Sequence, residues 1–346
     1  MNKAAAPKVK KDTKKKIRVE FERTPLIERL RAKFLNLYTL KRVLWYLLRF
    51  LLLVGVSYII LFPFFSKISS SFMSESDFVD VTVRLVPKSP TLQTYSAILT
   101  DNGYFEAFGN TFLLSIVCAV LQTFICCFIG YGFAKFKFKG SGILFLIVIF
   151  TMIVPHSTLK LSMFLNFKDF DILGIFGLFH KLGLTERPGI PLLDTNWPLW
   201  ILSATGLAYK NGLFIFLMRQ FYRGIPDELE ESAYLDGSGV FQTFFRIIIP
   251  LSVTMIITVF MFSFSWQWTD TFYSGLFYTQ TGPMLLPRII KVPETLSELA
   301  EASSSTLFAA ACKNTCGLLI ILPLVIMYLF GQKYIVQGIE RSGITG

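Results

Sequence analysis

The sequence has little charge. Only 16% of its 346 residues are Asp, Glu, Lys or Arg, while 53% are hydrophobic, and the mean hydropathy is +0.55. A water-soluble domain of this size carries about a quarter charged residues. The deficit excludes an ordinary soluble enzyme and points to an integral membrane protein. Histidine is scarcer still, with two in the chain. No H-E-x-x-H pair occurs, and neither His156 nor His180 has an obvious nucleophile partner, which argues against an intramembrane hydrolase. No G-x-x-x-x-G-K-[ST] loop occurs either, so the chain lacks a P-loop cradle for nucleotide phosphates. No bound cofactor and no metal site are expected.

Five cysteines make no disulfide framework. Cys118, Cys126 and Cys127 fall in one apolar run and read as small packing residues. Cys312 and Cys316 share a helix face at i,i+4 without further ligands nearby, so they too read as structural. Carboxylates are missing from the apolar runs at about 111–133, 142–164 and 199–221. That absence weighs against an ion-coupled secondary transporter, which needs intramembrane acids. The first apolar run starts near Val43 with no small-residue cleavage site behind it, so no cleavable signal peptide is expected.

What charge there is sits unevenly. Residues 1–50 hold fifteen of the 34 Lys and Arg but four of the 23 Asp and Glu, and the rest of the chain holds equal numbers of each sign. No aromatic-interleaved basic groove accompanies this excess. It reads as a cytoplasmic tail over 1–42 beside anionic lipid, not as a nucleic-acid site. Lys-rich residues 1–16 are expected to be disordered. Apolar and basic residues alternate at helical spacing over 22–42, which suits an amphipathic helix at the inner interface.

Six runs are long enough to cross a bilayer, at about 43–65, 111–133, 142–164, 199–221, 247–268 and 317–336. Lys135, Lys137 and Lys139 follow the second run without an acid among them, and the positive-inside rule puts them with the tail on the cytoplasmic side. Six spans then leave both termini inside. The loops at about 66–110, 165–198 and 269–313 fall outside. The expected fold is all-α and polytopic, a membrane domain over 43–346.

One stretch does not fit a bland connection. "IPDELEESAYLDGSGVFQTFFRIIIPLS", 225–252, is acidic, then glycine-broken, then apolar. Pro226 suits a first helical turn, and the acids after it suit the positive end of a helix. Gly237 and Gly239 end that helix, and a second one starts near Val240 with Phe241, Phe244 and Phe245 as apolar knobs. Helix, glycine turn, helix makes a rigid projecting knob fit for docking a partner.

The spacing in this knob resembles the EAA loop of ABC-importer membrane subunits: Glu231-Ser232-Ala233, three residues, Gly237, nine residues, Ile247, one residue, Ile249-Pro250. Ser232 stands for the usual Ala and Ile249 for the usual Leu. Further stretches are similar to the sugar-importer, MalG-like branch: "VPKSPTLQTY", "GNTF", "GYGFAKFKFKG", "FLMRQFYRGIPDELEESAYLDGSG" and "GQKYIVQGIERSGITG". The resemblance covers about 40–346 and implies a type I importer permease, with a core at about 105–337 and the EAA loop at 222–250. It implies ATPase coupling through Glu230, Glu231, Ser232, Ala233, Asp236, Gly237, Ile247 and Pro250. It also implies partners: an ABC ATPase dimer holding ATP and Mg, a second permease of related fold, and an extracytoplasmic solute-binding protein. The implied cargo is a carbohydrate; a peptide or polyamine would use the same machinery.

For the substrate path, "WQWTDTFY" offers Trp266, Gln267, Trp268 and Asp270, beside Phe272 and Tyr273. It is similar to the family's Trp-Asn-Asp-Phe region, with Thr269 in place of Asn and Thr271 interposed. An interfacial aromatic belt is the plainer reading of the same residues. Tyr209, Lys210 and Asn211 sit near the middle of the fourth run. A central lysine costs about 2.5–3.5 kcal/mol to insert, so it faces a cavity, or the span is broken and the lysine snorkels. Pro155 predicts a kink in the third run, with His156 behind it as a structural histidine or a ligand.

Overall fold

The computed structural model describes residues 9–11, 17–19, 37–279, 281–302 and 306–343. The chain falls into two units that divide at Ser66/Lys67. In the first unit, β1 (Val9–Lys11) pairs antiparallel with β2 (Ile17–Val19), Lys10 opposite Arg18. Of the stretch expected to be disordered, 9–11 are extended in this ribbon, where Val and Ile favour such backbone, and the rest of 1–16 lies outside the described residues. The helix expected over 22–42 lies outside the described residues up to 36. Its end, 37–42, is instead the start of α1 (Leu37–Ser70), which carries Pro63 in its interior.

The second unit is a helical bundle. Its helices are α2 (Gln93–Asp101), α3 (Tyr104–Lys135), α4 (Ser141–Ile153), α5 (Lys160–Lys168), α6 (Trp197–Ala204), α7 (Asn211–Arg223), α8 (Glu228–Leu235), α9 (Val240–Thr243), α10 (Val253–Trp268), α11 (Phe272–Phe277), α12 (Glu294–Ala302) and α13 (Thr306–Gly343). Shorter helical turns lie at Glu75–Val79 and Ile175–Lys181. α2 lies in the 66–110 loop, just before the second apolar run.

Six unbroken spans are not what forms. Among the described residues, helices at Lys41–Ser70, Tyr104–Lys135 and Thr306–Gly338 are individually long and apolar enough to cross a bilayer. The third run bends by 93° between Ser141–Ile153 and His156–Lys168. Pro155 causes this: it offers no N–H, and it drives Val154 into an extended conformation with ψ 121°. The fourth run is two short helices, α6 and α7, joined through positive φ at Gly206 and Lys210. The fifth bends by 80° at Ser252, between 240–251 and α10.

α3 is the central post. Its Cys126, Cys127 and Tyr131 pack into one buried cluster with Phe214, Met218 and Tyr222 of α7 and Met255 and Val259 of α10. Gly130 makes the α3–α7 approach close; a Cβ there would lie 2.7 Å from Met218 Cβ. Small residues let backbones meet this way where lipid gives no hydrophobic drive for helix association. Gln122 ties three helices: its Nε2 donates to Ser203 Oγ at 3.2 Å, and its Oε1 accepts from Ser263 Oγ at 2.7 Å. All five cysteines are free and buried.

Candidate translocation cavity and coupling arm

Two of the chain breaks and the end of α10 meet at one place. A cavity of about 1440 Å³ is lined by residues around Pro155 and His156, by 205–210 between α6 and α7, and by 269–273 after α10. Broken helices inside a bilayer leave backbone groups without intrahelical partners, and such backbone persists where it lines a wet cavity. Lys210 is held at φ 71°, just before the first turn of α7. Its Nζ lies 4.6 Å from the Tyr209 ring centroid and 4.3 Å from that of Trp266. Such a cation–π cage is worth about 0.5–2 kcal/mol and holds the ammonium at the cavity wall. Among the described residues no carboxylate forms an ion pair with it.

The structure brings Tyr209, Lys210, Trp266 and Asp270 together on the cavity wall. Asp270 is already occupied: it accepts the N–H of Tyr273 at 3.2 Å and of Ser274 at 2.7 Å, capping α11. The other three candidates lie elsewhere. Trp268 is fully buried, donates its indole N–H to Ile320 O at 2.9 Å, and stacks on Phe264. It is a packing residue between α10 and α13, because two positions along a helix turn the side chain by roughly 200°. Gln267 is half-buried and outside the cavity lining. Asn211 is fully buried with its side-chain amide unpartnered, and does not line the cavity.

Two further groups belong to this wall, His156 behind Pro155 and Tyr273 beside the aromatic run. His156 Nδ1 lies 2.7 Å from the Tyr273 hydroxyl, and its ring meets Tyr209 edge-on at 4.8 Å. The signal for His156 was an ionisable residue behind an intramembrane proline. His180 is exposed, with its ring nitrogen 2.9 Å from Thr185 O.

The 225–252 stretch forms an arm. Pro226 precedes the helix instead of opening it: Asp227 is the N-cap and α8 runs Glu228–Leu235. At its other end Ser238 N donates to Ala233 O at 2.9 Å and Gly237 N to Tyr234 O at 3.0 Å. That is a Schellman motif, and Gly237 occupies its left-handed position at φ 82°. Glu231, Ser232 and Asp236 are exposed, while Glu230 and Ala233 face inward and are buried. Leu229, Tyr234 and Leu235 are also exposed, Leu235 at 89%. Ile247 sits in a π turn, Phe244–Ile248, ahead of Pro250. Wider i→i+5 turns of this kind accommodate strain in a helix, and the proline ring that follows is one source of it. Of the phenylalanine knobs, Phe244 is buried, whereas Phe241 and Phe245 are exposed.

The root of the arm is clamped. Lys135, the last residue of α3, donates from Nζ to Ile225 O and to Asp227 Oδ1, both at 2.6 Å, and lies 3.6 Å from Glu230 Oε1. The Lys135 hydrogen bond holds Asp227 below the usual carboxylate range, whereas burial pushes Glu230 up despite the lysine.

A helical membrane bundle with a broken-helix cavity and a projecting capped helix is the build of a membrane transport subunit. Residues 126–341 match the binding-protein-dependent transport system inner membrane components, and the chain belongs to that family. It is thus a multi-pass subunit of a cell-membrane ABC transporter, a permease and not an enzyme. Protein LplC of Bacillus subtilis (strain 168) is 26% identical over 301 residues, covering 86% of this chain and 93% of LplC. The arabinooligosaccharides transport system permease protein AraQ of the same organism is 28% identical over 303 residues, covering 84% and 92%. A chain of a solved bacterial ABC transporter involved in the import of the acidic polysaccharide alginate matches with TM-score 0.64 at 20% identity, over 85% of this chain and 97% of that one. That likeness establishes the importer-permease fold.

Proposed function

We propose that this chain forms half of the translocation pathway of an ATP-driven importer of oligosaccharides. The observation that carries the coupling role is α8: a helix with its own cap, carrying EAA spacing, with Leu229, Glu231, Tyr234 and Leu235 turned outward. A loop serving only to connect two spans needs a few residues. In this reading α8 seats in one subunit of a separate ATPase dimer, which holds the ATP and Mg. Exposed Glu231 and Ser232 face that partner, Gly237 makes the turn, and buried Ala233 lets α8 lie close on its own bundle. A second permease of related fold supplies the other half of the path, and an extracytoplasmic binding protein delivers the solute. Six crossings follow if α4–α5, α6–α7 and 240–268 each count as one broken span, with both termini and the arm cytoplasmic. The exposed Tyr209 and Trp266 rings beside Lys210 and His156 suit a sugar, whose C–H faces stack on aromatics and whose hydroxyls take polar contacts. The cargo named for AraQ supports the carbohydrate reading.

Co-purification of the chain from its native membrane, followed by reconstitution, tests this. The expected result is an ATPase, a sister permease and a binding protein that holds an oligosaccharide, with ATP-dependent uptake of that sugar. A binding protein loaded with peptide or polyamine would overturn the sugar assignment, and uptake driven by an ion gradient without ATP would overturn the whole reading.

A further inference from the structure

Both halves of the arm rest on one helix. At the root, Lys135 holds Ile225 and Asp227, and Tyr131, one turn earlier, places its hydroxyl 3.5 Å from Glu230 Oε2. After the glycine turn, Phe241 stacks on Phe128 at 6.1 Å, and Phe244 meets both Phe128 at 5.9 Å and Tyr131 at 4.8 Å. Phe128, Tyr131 and Lys135 are spaced i, i+3, i+7 and so form one face of the last two turns of α3. A lysine serving only as a positive-inside charge would extend into water. This side chain is 5% exposed. A buried ammonium is tolerated when it is paired and hydrogen-bonded, and this one is held by a carbonyl and two carboxylates. Toward α10, by contrast, the arm passes a π turn and then an 80° bend at Ser252.

We infer that Lys135 is a positioning residue for transport, locking the arm to α3 so that the two move as one lever and α3 takes up the motion delivered at α8. This rests on the coupling role proposed above. It moves the first point of transmission from the helix that follows the arm in sequence to the helix beneath it. From α3 the motion has a direct way to the cavity, because α3 packs along α6, α7 and α10, whose broken ends form the cavity wall.

The test uses the assembled transporter in proteoliposomes, with two readouts: solute uptake, and the ratio of binding-protein-stimulated to basal ATP hydrolysis. Lys135→Met breaks a buried charge cluster and is expected to lower uptake and the ratio by about tenfold or more. Lys135→Arg keeps the charge and is expected to restore both to within about threefold. Co-purification of the subunits with Lys135→Met separates lost coupling from lost assembly. If that variant does not assemble, Asp227→Asn takes its place, since Asp227 is 78% exposed and its replacement spares the buried face; a fall in the ratio of about two- to threefold is expected. Wild-type uptake and ratio in Lys135→Met, or in Asp227→Asn where that stands in, would overturn the clamp, as would Lys135→Arg failing as badly as Lys135→Met. A wild-type complex that assembles yet shows no ATP-dependent uptake would instead sink the importer reading and leave the clamp geometry untouched.

Discussion

The arm and the cavity are both polar inclusions in an apolar bundle, and they are built in opposite ways. The arm is a single stretch, 225–252, whose helix, cap and turn are all local. The cavity is composed from residues more than a hundred positions apart, brought together because Pro155, the 205–210 connection and the end of α10 interrupt helices at one place. A contiguous element carries its geometry in its spacing. A composite one depends on where helices fail. The largest test of this contrast is Gly237→Pro. Proline fixes φ near −65°, while Gly237 holds 82° and donates its N–H to Tyr234. The motif cannot form, and ATP-dependent uptake is expected to fall by at least about tenfold, equivalent to 1.4 kcal/mol of lost coupling. Membrane insertion, measured by surface labelling, is expected to stay intact. Normal uptake would mean the arm does not need its cap.

Read on stability instead of uptake, the contrast separates two tryptophans two residues apart. Trp268→Ala empties a fully buried site between α10 and α13 and removes the hydrogen bond to Ile320. It is expected to cost about 3–5 kcal/mol, read as a lowered unfolding temperature in detergent. Trp266→Ala, on the cavity wall, is expected to change stability by less than about 1 kcal/mol while weakening uptake. Equal loss of stability in both variants would erase the distinction between core and wall.

A smaller effect is expected from Lys210→Met. Tyr209 and Trp266 hold the Lys210 ammonium at the cavity wall, where it can meet solute, so its removal is expected to raise the KM for uptake by about a few-fold with expression unchanged. An unchanged KM would place Lys210 outside the solute path. This variant also asks whether the cavity reads its cargo by charge or by shape.

The arm was largely legible because EAA spacing is a local pattern with a local consequence: a helix start, a left-handed glycine, a second helix. Lys135 was not legible. It shares charge and neighbourhood with Lys137 and Lys139, and only packing against Asp227 and Glu230 distinguishes it. Composition and hydropathy gave the membrane class and the position of every apolar run. Hydropathy does not register a break, so the bend at Ser252 was missed, though Pro155 announced the bend in the third run and the central Lys210 made a broken fourth span one of two readings. In the cavity, Tyr209, Lys210, Trp266 and Asp270 stood out as polar or amphipathic groups in apolar runs. Asn211 and Trp268 stood out on the same ground but turned inward, because which face of a helix meets the cavity is set by its neighbours.

The smallest effect sharpens the arm itself. Asp227 is held below its ordinary value by the Lys135 hydrogen bond. A depressed carboxylate stabilises the folded arm above its unfolded pKa, about 3.9, and loses that contribution as pH falls through its lower folded value. Glu230 is shifted the other way by burial, with Lys135 opposing and Asp227 reinforcing the shift. Its contribution is present below an unfolded pKa of about 4.3 and is lost as pH rises through the raised folded value. The two terms act in different windows: the wild-type arm is expected to gain modest protection as pH falls through the raised Glu230 value toward about 4.3, and to lose protection below about pH 3.9 as Asp227 is protonated. Hydrogen exchange at the Gly237 and Ser238 amides, which bond back to α8, reads this after correction for intrinsic rates. Asp227→Asn removes the first term and weakens the second, which Asp227 reinforces, so the loss below about pH 3.9 is expected to disappear and the gain above it to shrink. If Asp227→Asn loses as much protection below about pH 3.9 as the wild type does, Asp227 does not govern the arm's stability, and the hold on α3 comes from the Lys135 bond to Ile225 O and from Phe128, Tyr131, Phe241 and Phe244.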